Sequence, residues 1–75
     1  MNEVYSPVSY YRTPQAADIG KTIEVSRPVD DKNSYRWRSG IFVGKSYHMP
    51  GLTLYATVAP SGELIFYKEA RILGQ

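Results

Sequence analysis

The chain contains no cysteine. Disulfide bonds and thiolate metal sites are therefore excluded, so apolar packing, aided at most by self-association, must hold the fold together. There is a single histidine, His48, and no spacing groups it with a nucleophile and an orienting acid, as a catalytic triad requires. One imidazole with scattered carboxylates is also a poor ligand set for a transition metal. The sequence predicts no metal site and no cofactor, and His48 is interpreted as a structural loop residue.

Long apolar runs and a targeting segment are also missing. No run approaches the roughly 18 residues of a membrane span. The N-terminal stretch MNEVYSPVSYY carries an acidic residue, Glu3, and lacks the basic region and apolar core of a secretory signal. The absence of cysteine fits a reducing compartment. We therefore expect a cytoplasmic protein with no membrane partner.

The chain is short and nearly neutral. Its 75 residues give room for one domain, and a domain of this size hides only about 60% of the surface of its unfolded chain. Nine basic and seven acidic residues leave a net charge of +2, which permits nucleic acid binding but lacks the strongly basic signature of a duplex-coating protein. Seven tyrosines are the unusual feature of the composition, because tyrosine is enriched both in strands and at interfaces.

The pattern of residues divides the chain into an arm and a domain. Residues 1–17 include Pro7, Pro14 and three tyrosines without helical spacing. We interpret them as an extended N-terminal arm, which is either a disordered tail or a segment that packs on its own domain or on a partner. From Asp18 onwards apolar and polar residues alternate as they do in strands. Residues 18–75 are therefore predicted to form one β domain.

The opening of this domain is predicted to be a strand and a loop. KTIEV, residues 21–25, places Ile23 and Val25 on one face, and the strand ends at Arg27-Pro28. The following DDKN, residues 30–33, consists of turn-forming residues. GKSYHMPG, residues 44–51, is also predicted to be a loop because glycine and proline punctuate it.

The stretch YRWRSGIFVG, residues 35–44, holds the only tryptophan of the chain. Alternation divides it into two faces, with Tyr35, Trp37, Ile41 and Val43 on one side and Arg36, Arg38 and Phe42 on the other. We expect the tryptophan side to face inward, because a domain this small needs its largest apolar side chain in the core. A bulge at Ser39-Gly40 would rotate the strand and change this assignment.

The strongest local signal is APSGE, residues 59–63. Pro60 at the second turn position and Gly62 at the fourth suit a type I turn closed by a G1 bulge. This loop sets the register between LTLYATV, residues 52–58, and the next strand. It pairs Ala59 with Glu63, Val58 with Leu64 and Ala56 with Phe66 on one face, and Tyr55 with Tyr67 on the other. The final KEARIL, residues 68–73, is predicted to be a short helical turn or a last strand.

Together these segments predict an all-β fold. The expected core comprises Ile23, Val25, Trp37, Ile41, Val43, Leu54, Val58, Leu64 and Phe66. Four to five short antiparallel strands, separated by turns and without an amphipathic helix, favour a small twisted barrel. A strand, a loop, a long bent hairpin, a tight turn and a further strand follow one another over roughly residues 18–73, and this order resembles the SH3-like barrels.

Two segments share part of their sequence with enzyme motifs. GIFVGKS, residues 40–46, has only three residues between its glycines, where a phosphate-binding P-loop needs four, so it is predicted to be a strand. The run Leu64-Ile65-Phe66-Tyr67 is similar to a Val-Gln-Ile-Tyr stretch of the type II dihydrofolate reductases, SH3-like barrels that build one active pore from four chains. Only Tyr67 is shared, and Ile65 stands where that family has its pterin-contacting glutamine. This resemblance implies a tetrameric reductase as a remote third alternative.

The remaining candidate site is a surface of aromatic and basic side chains that alternation places outward or in the adjoining loop. It comprises Arg36, Arg38, Phe42, Lys45, Tyr47, Tyr55 and Tyr67. One interpretation is that these residues only cover and solubilise the strands. Because tyrosine and arginine are enriched at protein interfaces, we expect a non-enzymatic module that binds a protein partner, itself a monomer or weak homo-oligomer. The alternative is single-stranded nucleic acid, whose bases stack on rings.

Overall fold

The computed structural model describes residues 10–30 and 34–74, and for residues 47–49 it describes the backbone only. The elements are β1 (Tyr11–Arg12), a 3-10 turn (Ala16–Asp18), β2 (Thr22–Pro28), β3 (Arg38–Met49), β4 (Leu52–Val58) and β5 (Leu64–Leu73). Every strand pairing is antiparallel, so the prediction of an all-β fold is confirmed. Within the two described ranges, no helix has the length and apolar character needed to cross a lipid bilayer.

Strand β5 joins three other strands of the sheet. It pairs with β1, β2 and β4, while β3 pairs with β2 and β4. The neighbours β2, β3, β4 and β5 therefore follow one another in a closed cycle. Along β5, residues 64–67 lie beside β4, residues 67–71 lie beside β2, and residues 72–73 lie beside β1. This arrangement brings the N-terminal strand next to the end of the chain.

Strand β1 and the 3-10 turn are joined by the buried carboxylate of Asp18. Arg12 donates from Nη1 and Nη2 to the two oxygens of Asp18 at 2.7 and 2.9 Å, and the Gln15 amide donates to the same carboxylate at 2.8 Å. These hydrogen bonds hold the pKa of Asp18 well below its usual range, and the hydrogen bond from Arg12 has the largest effect. Residues 1–9 of the predicted arm lie outside the described residues, whereas Tyr10 accepts a hydrogen bond from the Gly74 amide at 2.7 Å.

The main core cluster is built from residues of β2, β3 and β5. It contains Ile23, Val25, Phe42, Tyr67 and Ile72, with Tyr55, Ile65 and Ala70 packed against it. Ile23 and Val25 are buried as predicted. Leu54 is also buried as predicted, together with Ala56. Leu64 is 53% exposed, so its predicted place in the core is wrong. Tyr67 occupies the core instead.

Strand β3 faces the opposite way from the prediction. Phe42 is fully buried, whereas Trp37, Ile41 and Val43 are exposed. Close packing at Gly40 is consistent with this orientation, because a Cβ atom there would lie 2.9 Å from the Cβ atom of Thr57. A glycine is therefore required where β3 crosses Thr57, and Phe42 fills the core two residues later. Alternation could not detect this, because both faces of the segment contain large apolar side chains.

The bulge considered at Ser39-Gly40 is absent from the register, and the predicted loop at residues 44–51 is wrong. The register is regular through Ser39 and Gly40, and the β3–β4 pairing shifts between Phe42 and Gly44 and again between Tyr47 and Met49. Gly44 has a φ of 136°, a value that side chains rarely adopt, so the chain absorbs the irregularity here and continues as a strand to Met49. The turn is only Pro50–Gly51. The final-strand alternative for KEARIL is correct, since residues 64–73 form β5.

The hairpin between β4 and β5 matches the prediction in turn and register. Gly62 has a φ of 94°, and the Ala59 amide donates to the Glu63 carbonyl at 2.8 Å. Val58 pairs with Leu64, Ala56 with Phe66 and Tyr55 with Tyr67. The predicted faces hold only in part, however: Leu54 and Ala56 of β4 are buried as predicted, but Thr57 and Tyr67 are buried as well and Leu64 is exposed. Turn chemistry thus specified which residues pair, but not which side of the pair meets the core.

Candidate functional site: an aromatic and arginine surface

The seven predicted site residues do not share one surface. Arg36 and Lys45 are exposed, Arg38 and Tyr55 are half-buried, Phe42 and Tyr67 are buried, and the Tyr47 side chain lies outside the described residues. The prediction that Phe42 and Tyr67 face solvent is wrong, because the faces of β3 and β5 are inverted. The Tyr55 ring packs against the Phe42 ring with centroids 6.4 Å apart, so it contributes to the core.

The two arginines of YRWRSG have different environments. Arg36 is exposed, as predicted. Arg38 lies opposite the buried Val25 and donates from Nη2 to Ser34 Oγ. Its Nε atom is buried and has no hydrogen-bond partner within the part of the chain that the structure describes. Full solvent exposure of Arg38 was therefore a wrong expectation.

A different set of side chains converges where β1, β5 and β2 meet. Arg71 on β5 lies directly opposite Glu24 on β2, and Arg71 Nε donates to Glu24 Oε1 at 2.7 Å. The guanidinium carbon of Arg71 lies 4.1 Å from the centre of the Tyr11 ring and 3.8 Å from that of the Trp37 ring. Tyr11, Glu24, Trp37 and Arg71 are called the aromatic–arginine cluster below.

The strand order explains why two distant rings reach one guanidinium. Tyr11 belongs to β1, which lies on one side of β5. Trp37 precedes β3 and comes from the other side, because β2 separates β3 from β5. Ser39 pairs with Glu24, so a period of two places Trp37 on the face of Glu24. The segment before β3 is held along β2 by the Ser26 hydroxyl, which donates to the Tyr35 carbonyl at 2.8 Å.

A second stacked arginine extends this surface. Arg27 Nε lies 3.0 Å from Glu69 Oε2, and the guanidinium carbon of Arg27 lies 4.6 Å from the centre of the Tyr35 ring. Arg27 has a φ of 60°, a strained value for a residue with a side chain. The rings of this surface remain open to solvent, with Tyr11 46%, Tyr35 58% and Trp37 36% exposed.

A cavity of about 190 Å³ adjoins the cluster. Tyr11, Glu24 and Arg71 form part of its wall, together with Ser39 and Leu73. The two rings and the carboxylate contact the guanidinium within the free chain, and such contacts restrict the rotamers of Arg71. Such preordering lowers the entropy that binding has to overcome. Chemically, the cluster offers flat apolar faces and a fixed guanidinium, which suit recognition.

Sequence reasoning missed most of this site. Of its four members, Trp37 was placed in the core, and neither Glu24 nor Arg71 was proposed as a binding residue. The contact between those two spans 47 positions of the chain, and only the pairing of β2 with β5 reveals it. Tyr11 lies in the predicted arm, whose docking on β5 the sequence left open.

No group of three or more potential metal-ligating side chains comes together in residues 10–30 and 34–74. In comparisons with protein-family models, curated proteins and solved structures, the chain has no significant match.

Proposed function

We propose that the chain is a small non-enzymatic binding module that recognises a protein partner through the aromatic–arginine cluster. The observation that carries this proposal is the convergence of exposed Tyr11 and Trp37 rings on the guanidinium of Arg71. Tyrosine, tryptophan and arginine are the residues that contribute most often to binding hot spots. Tyr35, stacked with Arg27, enlarges the surface beyond a single contact.

We further propose that the closed cycle of β2, β3, β4 and β5 is an SH3-like barrel. The order of strands supports this, with a long hairpin of β3 and β4 followed by a tight turn into β5. In such a barrel the aromatic–arginine cluster would lie on the outer wall, because Val25 and Ile72, the neighbours of Glu24 and Arg71, belong to the core. The cytoplasm remains the predicted compartment.

The charges of the surface favour a protein over a polyanion. Each stacked arginine already has a carboxylate, Glu24 for Arg71 and Glu69 for Arg27. A nucleic acid backbone laid along this surface would meet both acids, and the net charge of the chain is only +2. A protein interface tolerates such a balance, since paired charges at its rim steer and orient the partner.

Single-stranded nucleic acid is the second candidate. It is favoured by Arg36, which is exposed and next to Trp37 in the chain and for which no ion pair is found within the described residues. Bases would stack on the rings while this arginine met a phosphate. The two candidates differ in salt dependence, because phosphate contacts release counterions and weaken steeply as salt rises. Tyr67, shared with the type II dihydrofolate reductases, is buried in the core cluster, and nothing observed at this residue favours an enzyme.

The proposed function is tested by affinity capture with the full chain. Wild type, Trp37→Ala and Ile19→Ala serve as baits, Ile19 being exposed and outside the surface. We expect a specific protein to be retained by wild type and Ile19→Ala and lost from Trp37→Ala, with weak dependence on salt. Equal retention by all three baits would place the interface elsewhere. Retention of nucleic acid that disappears as salt rises would favour the second candidate.

A further inference from the structure

The guanidinium of Arg71 is held from three directions. Its Nε donates to Glu24, the Tyr11 ring lies against it from β1, and the Trp37 ring lies against it from the segment before β3. A guanidinium carries five N–H donors in a rigid planar fork. The two ring centres lie 4.1 and 3.8 Å from the guanidinium carbon and the carboxylate occupies one edge of the plane, so these contacts restrict where the remaining edge can lie.

The remaining edge of Arg71 consists of its two Nη groups. Neither has a hydrogen-bond acceptor among residues 10–30 and 34–74, and the side chain is 31% exposed. Fixed donors beside apolar rings form stronger hydrogen bonds than donors surrounded by water, because the local dielectric constant is lower. The arginine is therefore ordered for an acceptor that the described chain does not supply.

We propose that Arg71 binds one carboxylate of the protein partner, an Asp or Glu side chain in an extended segment, with its two Nη groups. This inference rests on the proposed function and names the chemistry that the aromatic–arginine cluster recognises. A planar carboxylate matches the two parallel N–H groups of the fork. Tyr11 and Trp37 would contact the apolar neighbours of that acid in the partner.

The surroundings of Arg71 favour a single acid over a chain of phosphates. Glu24, 2.7 Å from Arg71, offsets much of the charge of the guanidinium, and Glu69 lies two residues away on β5 with 46% of its side chain exposed. A phosphate backbone would bring several negative charges past both acids, whereas one acidic side chain presents a single charge. The adjoining cavity of about 190 Å³ also suits a side chain and not a folded element.

The test uses peptides selected from a random display library on the immobilised full chain. The selected peptide is synthesised with an amidated C-terminus, so that only side chains carry carboxylates, and each acid is changed in turn to its amide. Binding is measured by titration calorimetry. We expect one acid to amide change to weaken binding to the wild-type chain by about tenfold or more, the loss of a charge-assisted pair of hydrogen bonds.

Three variants test whether this effect arises from the two Nη groups of Arg71. Arg71→Lys keeps the charge and removes the planar pair of donors, so the preference for the acid over its amide should largely vanish. Glu24→Gln removes the internal competitor for the guanidinium, so the acidic peptide should bind more tightly. Glu69→Gln is the matched control and should change affinity less than Glu24→Gln. A purely structural ion pair between Glu24 and Arg71 predicts weaker or unchanged binding for Glu24→Gln.

The outcomes separate this inference from the proposed function. Peptides that need Trp37 but bind equally as acid and amide would overturn the carboxylate and leave the binding surface intact. Peptides indifferent to Trp37→Ala, or no selected peptide at all, would overturn both. Binding of short oligothymidylate in place of peptides, lost as salt rises, would also overturn both. The comparison of acidic and amide peptides on the wild-type chain shows whether a carboxylate is recognised even if Arg71→Lys fails to fold.

Discussion

Replacing Phe42 by alanine should cost more stability than any other single truncation on β3. The ring is fully buried and packs against the Tyr55 ring at a centroid distance of 6.4 Å. Truncation of a buried phenylalanine removes about 3 to 5 kcal/mol, the transfer energy of the ring plus the cavity left behind. A small domain has a total stability of only about 5 to 15 kcal/mol, so the variant should lose a large share of its folding free energy.

Val43→Ala is the matched control for this prediction. It alters the adjacent residue of β3, which is 38% exposed, and should cost about 1 kcal/mol or less. Urea unfolding followed by far-ultraviolet circular dichroism gives both free energies. If alanine at position 43 cost more than alanine at position 42, the odd-numbered residues of β3 would face the core, and Trp37 could not stack on Arg71 from outside.

Three further predictions concern the backbone and the buried carboxylate. Gly40→Ala places a Cβ atom 2.9 Å from Thr57 Cβ and 3.0 and 3.1 Å from Thr57 Cγ2 and Oγ1, so thermal unfolding should show a loss of about 1 to 3 kcal/mol. Thr57→Ala in the same chain removes Cγ2 and Oγ1 but keeps Cβ, so it should restore part of this loss. An unchanged midpoint for Gly40→Ala would contradict the close approach. Gly62→Val should cost about 1 kcal/mol or more of folding stability, because the φ angle of 94° is unfavourable for a β-branched residue. Gly62→Asn should cost less. Since no atom would crowd a Cβ at this position, equal stability of the two variants in urea would contradict a backbone origin of the cost. The pKa of Asp18 is lowered, chiefly by Arg12, so its contribution to folding stability is complete above the ordinary aspartate pKa of about 3.9 and is lost as pH falls towards the lower folded value. Acid unfolding of wild type should therefore be steeper in this range than that of Asp18→Asn. Parallel unfolding curves would show that the carboxylate contributes nothing to stability.

The local parts of the fold could be predicted from the sequence because their signals are local. KTIEV alternates cleanly and gives β2 with Ile23 and Val25 buried. Proline and glycine in APSGE specify one turn, and that turn fixes the register of β4 with β5. These features depend on neighbours within about five positions of the chain, so tertiary contacts have little opportunity to override them.

The orientation of β3 could not be predicted, because each of its faces offers large apolar side chains. The close approach of Gly40 to Thr57 is consistent with the observed orientation, and it arises only when β3 and β4 are paired. Trp37 lies outside the core and is 36% exposed, and the centre of its ring lies 3.8 Å from the guanidinium carbon of Arg71. The general preference for buried tryptophan therefore did not predict its position.

The residue types of the candidate site could be predicted from the sequence, but its position in the fold could not. The expected combination of tyrosine and arginine at the surface is present and Arg36 is exposed as expected, whereas Trp37, expected in the core, is a surface residue. The members of the cluster, however, come from β1, β2, β5 and the segment before β3, and composition carries no information about which strands become neighbours. Such non-local sites require the sheet topology.

The most direct test of recognition through the aromatic–arginine cluster is an amide and indole chemical-shift map of the full chain titrated with its captured or selected partner segment. We predict that the largest shifts fall on Tyr11, Glu24, the Trp37 indole and Arg71, with Tyr35 next. Largest shifts at Leu64, at the opposite end of β5 from Arg71 and paired there with Val58 of β4, would contradict this account.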